Sequence, residues 1–418
     1  MKFIFSRIKK LIHWYLKENS IIILPFILLS LFLWIVTSKI IYRSWRRKKN
    51  KRIIAFTGLY YNGNSRAVYD YIRKNRKYNR RYVCYWIARN RISLSDIKKE
   101  GGNVVYVFFP FSGIRYLLNT DAVVTNDSFL SILFPNKPKM IQLWHGVGPK
   151  GEKRDKIDYE EIDAWCVSSE YTKQRHIELW GAPPEKLFVT GFARMDTLLR
   201  YLKEESLREK FCREFSIPMN KKILLYAPTW ETGIWPWEDP YKEFEKFCKF
   251  CNQNNVIILF RPHPLFKKNS GLSKMLKRYN NFLIIDVKKE REVMRLLAVA
   301  DILVTDWSSL YTDYFLTEKP IIYFEVDRDY FCTPKGRGYG EIPPDYRAGE
   351  IVHNSREFYK ALKTVLEKGN LFRRREKMLL KTIHGDIDGK ISDRVSKVIN
   401  NLLEQGDTFH FTENYFVL

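Results

Sequence analysis

The chain has 418 residues, enough for two domains with separate cores, and its 72 Lys and Arg against 47 Asp and Glu give a formal net charge of +25. Residues 1–52 hold eight Lys and five Arg against Glu18 alone, a net +12, so nearly half of the excess sits at one end. The remaining charge is spread rather than massed, which argues against nucleic acid and for an anionic membrane surface, and six cysteines without framework spacing exclude a disulfide-stapled scaffold.

Residues 1–51 read as a leader. The first twenty are basic, with Phe3, Ile4, Ile8, Leu11, Ile12 and Tyr15 on helical spacing. Ile21 to Ser38 is then eighteen residues without a charge, about the minimum for a bilayer span, and Ile40 to Tyr42 extends it. Seven cations between Arg43 and Arg52 follow, so the positive-inside rule keeps this flank and the body after it on the cytoplasmic side. No small-x-small site ends the apolar stretch, which weakens a cleaved signal peptide. A membrane anchor is expected, either spanning or, given Pro25, re-entrant.

From 52 to 210 apolar runs recur at about twenty-residue spacing: Arg52–Thr57, Tyr82–Ile87, Val104–Phe108, Ala122–Thr125, Met140–Trp144 and Ala164–Ser168. Helical segments fall between them, the rhythm of a doubly wound parallel sheet of the Rossmann-like kind. Asn62-Gly-Asn-Ser65 lacks the dinucleotide spacing and carries no nucleotide reading. Ligands of such sheets collect beyond the carboxyl ends of the strands, where His145 stands before Gly146 and three residues before a second glycine, with Lys150 close by. A histidine there suits a general base. Arg194 and Asp196 follow the last run, as site residues or as an ion pair between domains.

A second sheet is expected over 211–378. Lys222–Trp230 runs into a Pro-Thr turn at Thr229, and Val256–Phe260 into Arg261-Pro-His263-Pro. Prolines fix the backbone around His263, and Arg261 adds a permanent cation beside it, which suits a phosphate in transfer. Cys248-x-x-Cys251, with Phe244 and Phe247, reads as a helix's core face rather than a zinc pair. Ile302–Thr305, Asp306, Ser308–Ser309, a helical stretch through Asp313 to Phe315, and Ile321–Val326 make a strand–turn–helix–strand unit. Its helix start, with two hydroxyls and free N–H groups, suits an anion. Residues 379–418 supply a helix that crosses back to the first domain, then a tail.

The ordered set His145-Gly146, Arg194-x-Asp196, Ala227-Pro-Thr229, Arg261-Pro-His-Pro264, Asp301-Ile-Leu-Val-Thr-Asp-Trp-Ser-Ser309 with Asp313, and Arg337-Gly338 resembles the CDP-glycerol glycerophosphotransferases, the primases and polymerases of teichoic acids. The resemblance covers roughly residues 52–400. It implies two domains of the GT-B type with the donor between them, essential histidines at His145 and His263, and a donor pyrophosphate held by Ser308, Ser309 and Asp313, to which Arg261 adds the phosphate-binding cation read from its strand-end position. Gly146, Lys150, Arg194, Asp196, Thr229, Asp306 and Arg337 are further candidates for substrate contacts. Departures lie mostly on the first-domain side: Val147-Gly-Pro-Lys150 replaces the family's Thr-Pro-Leu-Lys, and Ala193 stands where the family has proline, while Trp307 replaces a tyrosine in the second.

The expected reaction is transfer of glycerol phosphate from CDP-glycerol to a hydroxyl of a lipid-linked acceptor, with CMP released. A ribitol-phosphate transferase and a sugar-nucleotide glycosyltransferase of the same build are the alternative enzymes, and a non-catalytic tethered polyanion binder is the alternative of another class. No metal or cofactor is expected. The partners expected are CDP-glycerol, the lipid-linked acceptor and anionic membrane lipids, with a homo-oligomer left open.

Overall fold

Near-continuous runs of β-branched and aromatic residues form strands buried on both faces, the pattern of parallel sheets covered by helices. The computed structural model describes residues 24–44, 51–127, 131–146, 159–229, 234–263, 278–333 and 346–405. Seven strands make the first sheet: β1 Arg52–Thr57, β2 Tyr82–Ala88, β3 Asn103–Tyr106, β4 Ala122–Thr125, β5 Lys139–Gln142, β6 Ala164–Val167 and β7 Leu187–Val189. Six make the second: β8 Lys222–Tyr226, β9 Val256–Phe260, β10 Phe282–Ile284, β11 Ile302–Thr305, β12 Ile321–Phe324 and β13 Glu350–Val352.

The strand orders are β3-β2-β1-β4-β5-β6-β7 and β10-β9-β8-β11-β12-β13. Every pairing is parallel. Each order reverses once, between β1 and β4 and between β8 and β11. Beyond the carboxyl ends of those pairs the connections part to opposite sides, leaving a crevice. In register, Thr57 lies opposite Thr125, and Tyr226 lies opposite Val304.

The helices used below are α1 Leu24–Ser44, α2 Gly63–Lys74, α3 Glu170–Trp180, α4 Arg194–Leu202, α5 Pro240–Gln253, α6 Val293–Val299, α7 Leu310–Tyr314, α8 Arg373–His384 and α9 Ile391–Gln405. Alternation along the strands sorts them. On β1, Ile54 and Phe56 face the cluster that holds Val68, Tyr69 and Ile72 of α2, while Ala55 faces the one that holds Ile27, Leu31 and Trp34 of α1. So α1 and α2 cover opposite faces of the first sheet. On α5, Cys248 and Cys251 are buried with Phe244 and Phe247, as core residues. Helix α9 returns to α2: Tyr71 and Tyr78 donate to Asp393 at 2.8 and 3.1 Å, and Tyr82 donates to Asn400 at 2.7 Å.

Helix α1 is long and apolar enough to cross a membrane, with mean hydropathy 2.1. Pro25 occupies its first turn, where a missing N–H leaves no bond unmade. Its faces differ. Ile27, Leu31, Trp34 and Ser38, spaced by four, three and four residues, are buried against the first sheet's helical turns. Trp34 is fully covered, donates its indole N–H to the Leu133 carbonyl at 3.0 Å, and meets Phe111 edge-on. The opposite face exposes Phe26, Leu29, Phe32, Val36 and Ile40, and Phe109 and Phe111 are exposed on the body.

If that docking stabilises the body, Trp34→Ala removes a fully buried indole and should cost about 3–5 kcal/mol. Denaturant unfolding of the detergent-solubilised protein, followed through the far-UV signal of the α/β body, measures it. An unchanged midpoint would show that the helix does not stabilise the body.

Candidate active site

At the first sheet's switch point, strand β4 ends in Thr125 and hands over to Asn126 and Asp127. The Asp127 carboxylate accepts from the Leu59 N–H at 2.7 Å, and the Asn126 side chain accepts from the Ser65 N–H and hydroxyl at 2.9 and 3.0 Å. Those bonds tie the β1–α2 turn to the end of β4. Gly63 opens α2 at φ +66, and a Cβ there would press within 3.3 Å of the Asn126 amide.

One strand over, β5 ends at Gln142. The chain turns through Trp144 at φ +51, in the left-handed region that a bulky residue enters only when its surroundings hold it. The Gln142 side chain accepts from the Trp144 N–H at 2.9 Å, and the Asn64 amide donates to the Trp144 carbonyl at 2.8 Å. Trp144 packs on Trp165 and Trp180 and stacks on the His145 ring at 4.5 Å. This turn leaves His145 exposed at the carboxyl edge.

Nδ1 of His145 lies 3.1 Å from the Asn126 carbonyl and 3.4 Å from an Asp127 carboxylate oxygen. Both only accept, so Nδ1 carries the proton and the neutral ring keeps its lone pair on Nε2. That is the tautomer a general base needs, with a carboxylate beside it to steady the cation it becomes. Asp127, Asn126 and Asn64 went unread in the sequence. The signal they gave was weak, a polar residue just beyond a strand or inside a glycine turn.

At the second sheet's switch point the two strand ends are stitched by Asp306. Its carboxylate is fully buried and accepts from the Thr229 N–H at 2.9 and 3.0 Å, the Thr229 hydroxyl at 2.7 Å and the Ser308 N–H at 3.2 Å. Asp306 and Thr229, expected at the substrate, thus clamp β8 to β11. Arg261 donates one guanidinium nitrogen to the carbonyls of Ile285 and Glu290 at 3.0 and 2.6 Å. Burial pulls its pKa below the ordinary guanidinium value, opposed by Glu290, Glu292 and Asp286. An arginine stays charged even so, and this one is locked in place. His263 stands exposed two residues on, after buried Pro262.

Ser308 and Ser309 are half-buried. The Ser308 hydroxyl accepts weakly from the Leu310 N–H at 3.3 Å, while Ser309 sits at the cap position without a side-chain cap bond. Helix α7 is only five residues long before it tightens into a 3₁₀ turn, shorter than the sequence suggests. An anion there would rely on hydroxyls and local N–H groups more than on a long helix dipole.

Asp313 departs from expectation. It is buried and paired bidentately with Arg194 at 2.8 and 3.0 Å, with His384 Nε2 at 3.4 Å. A carboxylate so engaged is ill placed to meet a phosphate, which its own charge would repel. Arg194 takes the ion-pair role, and its guanidinium also stacks 4.4 Å over Phe192. Asp196 caps α9, accepting from the N–H groups of Ile391 and Ser392 at 3.2 and 2.7 Å and from the Ser392 hydroxyl at 2.9 Å. Gly146 follows His145 on the exposed turn. Lys150 and Arg337 lie outside the described residues. No group of three His, Cys, Asp or Glu among the described residues is spaced to hold a metal ion.

The two sheets meet close to these ends. Asn62 donates to the Arg291 carbonyl at 2.9 Å, Arg291 pairs with Asp96 at 2.8 Å, and Ser168 and Ser169 donate to the carbonyls of Ile383 and Thr382 at 2.6 and 2.8 Å.

Residues 40–401 match the model of a family described as CDP-glycerol:poly(glycerophosphate) glycerophosphotransferase. The chain is 25% identical over 374 residues to a teichoic acid poly(ribitol-phosphate) polymerase of Bacillus spizizenii, covering 83% of this chain and 56% of that protein. It is also 25% identical over 350 residues to a teichoic acid poly(glycerol phosphate) polymerase of Bacillus subtilis, covering 76% and 44%. The chain spans about half the length of the curated relatives it matches. Among solved structures, the wall teichoic acid polymerase TagF has the same fold at a TM-score of 0.69 and 20% identity, over 95% of this chain and 98% of that one.

Burial lowers the pKa of His384 from the ordinary 6.5 to about 4, against the attraction of Asp313. The unfolded chain therefore binds one more proton than the folded one between those values. Stability should rise with pH across roughly 4 to 6.5 and level off above, by up to about 3 kcal/mol from this group. Unfolding free energies at a series of pH values for the protein and for His384→Gln check it; equal slopes in both would remove His384 as the cause.

Proposed function

Since the chain belongs to the CDP-glycerol:poly(glycerophosphate) glycerophosphotransferase family, we propose that it transfers glycerol phosphate from CDP-glycerol to a hydroxyl of a lipid-linked acceptor in teichoic acid synthesis. The observation that carries the reading is the His145 dyad at the first switch point, with Arg261 and His263 at the strand ends of the second sheet. The acceptor oxygen attacks the glycerol-bearing phosphorus, a new P–O bond forms, the bond to the bridging oxygen breaks, and CMP leaves. Nε2 of His145 takes the hydroxyl proton. Asp127 holds the ring and balances the imidazolium. Arg261, fixed by two carbonyls, and His263 stabilise charge on the transferring phosphate, while Ser308 and Ser309 face the pyrophosphate. Positioning and electrostatics carry most of such a reaction.

In this reading the two sheets form a GT-B arrangement with the donor between them, which the contact of Asn62, beyond β1, with the Arg291 carbonyl of the second half supports. A variant of TagF soaked with CDPG shares the fold at a TM-score of 0.68 and 20% identity, over 95% of this chain and 98% of that one, which supports the donor class. The ribitol-phosphate polymerases among the relatives favour CDP-ribitol as a second reading. The exposed apolar face of α1 supports a membrane contact in which the helix lies along the bilayer surface while its other face stays on the body. The basic leader supports anionic lipids as partners and the cytoplasmic side for the body.

Incubation of the purified protein with CDP-glycerol or CDP-ribitol and a membrane lipid acceptor, with CMP release and product length followed, tests the reading. CMP release that depends on acceptor is expected with CDP-glycerol; release only from CDP-ribitol shifts the donor, and release from neither defeats the proposal.

His145→Ala should lower turnover by about 10²–10⁴-fold, and Asp127→Asn by at least about tenfold, both with unchanged melting temperature. Turnover near that of the unaltered protein in a folded His145→Ala variant would remove the base.

A further inference from the structure

A band of cations runs along α2 on the side of the first sheet away from α1. Arg66, Asp70, Arg73 and Lys74 stand on one stripe of that helix, at positions four, seven and eight apart. On one side of the stripe a cavity of about 400 Å³ reaches α4 and the start of α9, with Arg200 and Lys203 in its wall. On the other, a hollow of about 770 Å³ shares Arg66, Lys74 and Arg200 and continues to Lys51 and Tyr82. A third, of about 520 Å³, carries on from Lys51 to Arg52, Arg80 and Arg81. The hollows adjoin through shared walls, Arg66, Asp70, Lys74 and Arg200 between the first two and Lys51 and Tyr82 between the last two. They so make a stepped groove from Lys51 and Arg52 at the amino-terminal edge of the sheet to Glu292 at the meeting of the two sheets.

Nine cationic side chains and five carboxylates line it. Some of these charges already pair: Glu404 with Arg81 and Glu100 and Asp70 with Arg66, while Asp196 caps the N-terminus of α9. Lys74, Arg200 and Lys203 are exposed and make no ion pair among the described residues. A concave surface with spare positive charge focuses the field on anything anionic that enters.

The geometry points to a binding site for the polyol-phosphate chain itself, a second site that holds the anionic polymer outside the catalytic cleft. This rests on the transferase reading above. Two observations favour a soluble polyanion over a bilayer. The apolar face that meets lipid is on α1, across the sheet from the groove. The cations line a trough rather than a flat surface, a fit for a flexible string of phosphates rather than a layer of headgroups. Helix α2 alone is about 18 Å long, room for several phosphates. Chain held here is tethered beside the first sheet, which raises the local concentration of its free end.

The test uses the full chain in detergent, with Lys74→Glu, Arg200→Glu and Lys203→Glu combined, and a labelled synthetic poly(glycerol phosphate) oligomer as probe. Affinity for the oligomer should fall about tenfold or more and weaken with salt. Transfer to an acceptor bearing a single unit should stay within about twofold, while products on long acceptors become shorter. Binding to vesicles of phosphatidylglycerol in phosphatidylcholine should not change. Oligomer affinity equal to that of the unaltered protein would overturn the proposal, and so would a loss confined to vesicle binding. Should the protein release CMP from neither donor, the transferase reading fails, while the oligomer titration still decides whether the groove binds a polyanion.

Discussion

Arg194 and Asp313 come from different halves of the chain, 119 residues apart, and meet in a buried, two-bonded ion pair at the junction of the two sheets. A pair so placed tolerates little displacement, because separating it would leave a charge stranded in low dielectric. Much else hangs on it. The Arg194 backbone N–H binds the Asn64 side chain at 2.9 Å, and the same side chain holds the turn that presents His145. On the other side, Asp313 belongs to the short helix that follows Ser308 and Ser309. The junction thus links the turn that carries His145 to the segment that carries Ser308 and Ser309 through a few rigid steps.

Each sheet uses one carboxylate to close its own switch point. Asp127 ties β4 to the loop after β1, and Asp306 ties β11 to the loop after β8. The two differ in what they leave over. Asp306 spends its oxygens on Thr229 and Ser308 and remains fully buried, whereas Asp127 keeps an oxygen near His145. Equivalent places in two similar sheets therefore do different work, one holding a loop in shape and one standing beside an exposed histidine at the carboxyl edge.

The parallel sheets were legible because strands buried on both faces need unbroken apolar runs, which stand out from their surroundings. The edge strand Glu350–Val352 escaped notice, being three residues long with a charge at its start. The resemblance puts Asp313 at the phosphate with Ser308 and Ser309; its partner Arg194 lies too far along the chain for spacing to reveal. His145 and Arg261 announced themselves by standing at strand ends, while Asp127 looked like any turn aspartate. Apolar residues surround α1 on all sides, so hydropathy could not separate the face that meets protein from the face left open. Only the four-three-four spacing of its buried residues marks that division, and the spacing means nothing until the docking surface is known.

The docking of α1 also bears on how the protein is made. The Trp34 indole is held by Leu133, 99 residues further along. At ribosomal speeds of about 5–20 residues per second, roughly 5–20 s separate synthesis of the helix from synthesis of the surface that receives it. Throughout that interval Ile27, Leu31 and Trp34 have no surface of this protein to cover them, and any partner that holds apolar helices can take the side that the first sheet later claims. Folding of the body thus closes late over the same twenty-one residues, and a slow first sheet lengthens their exposure.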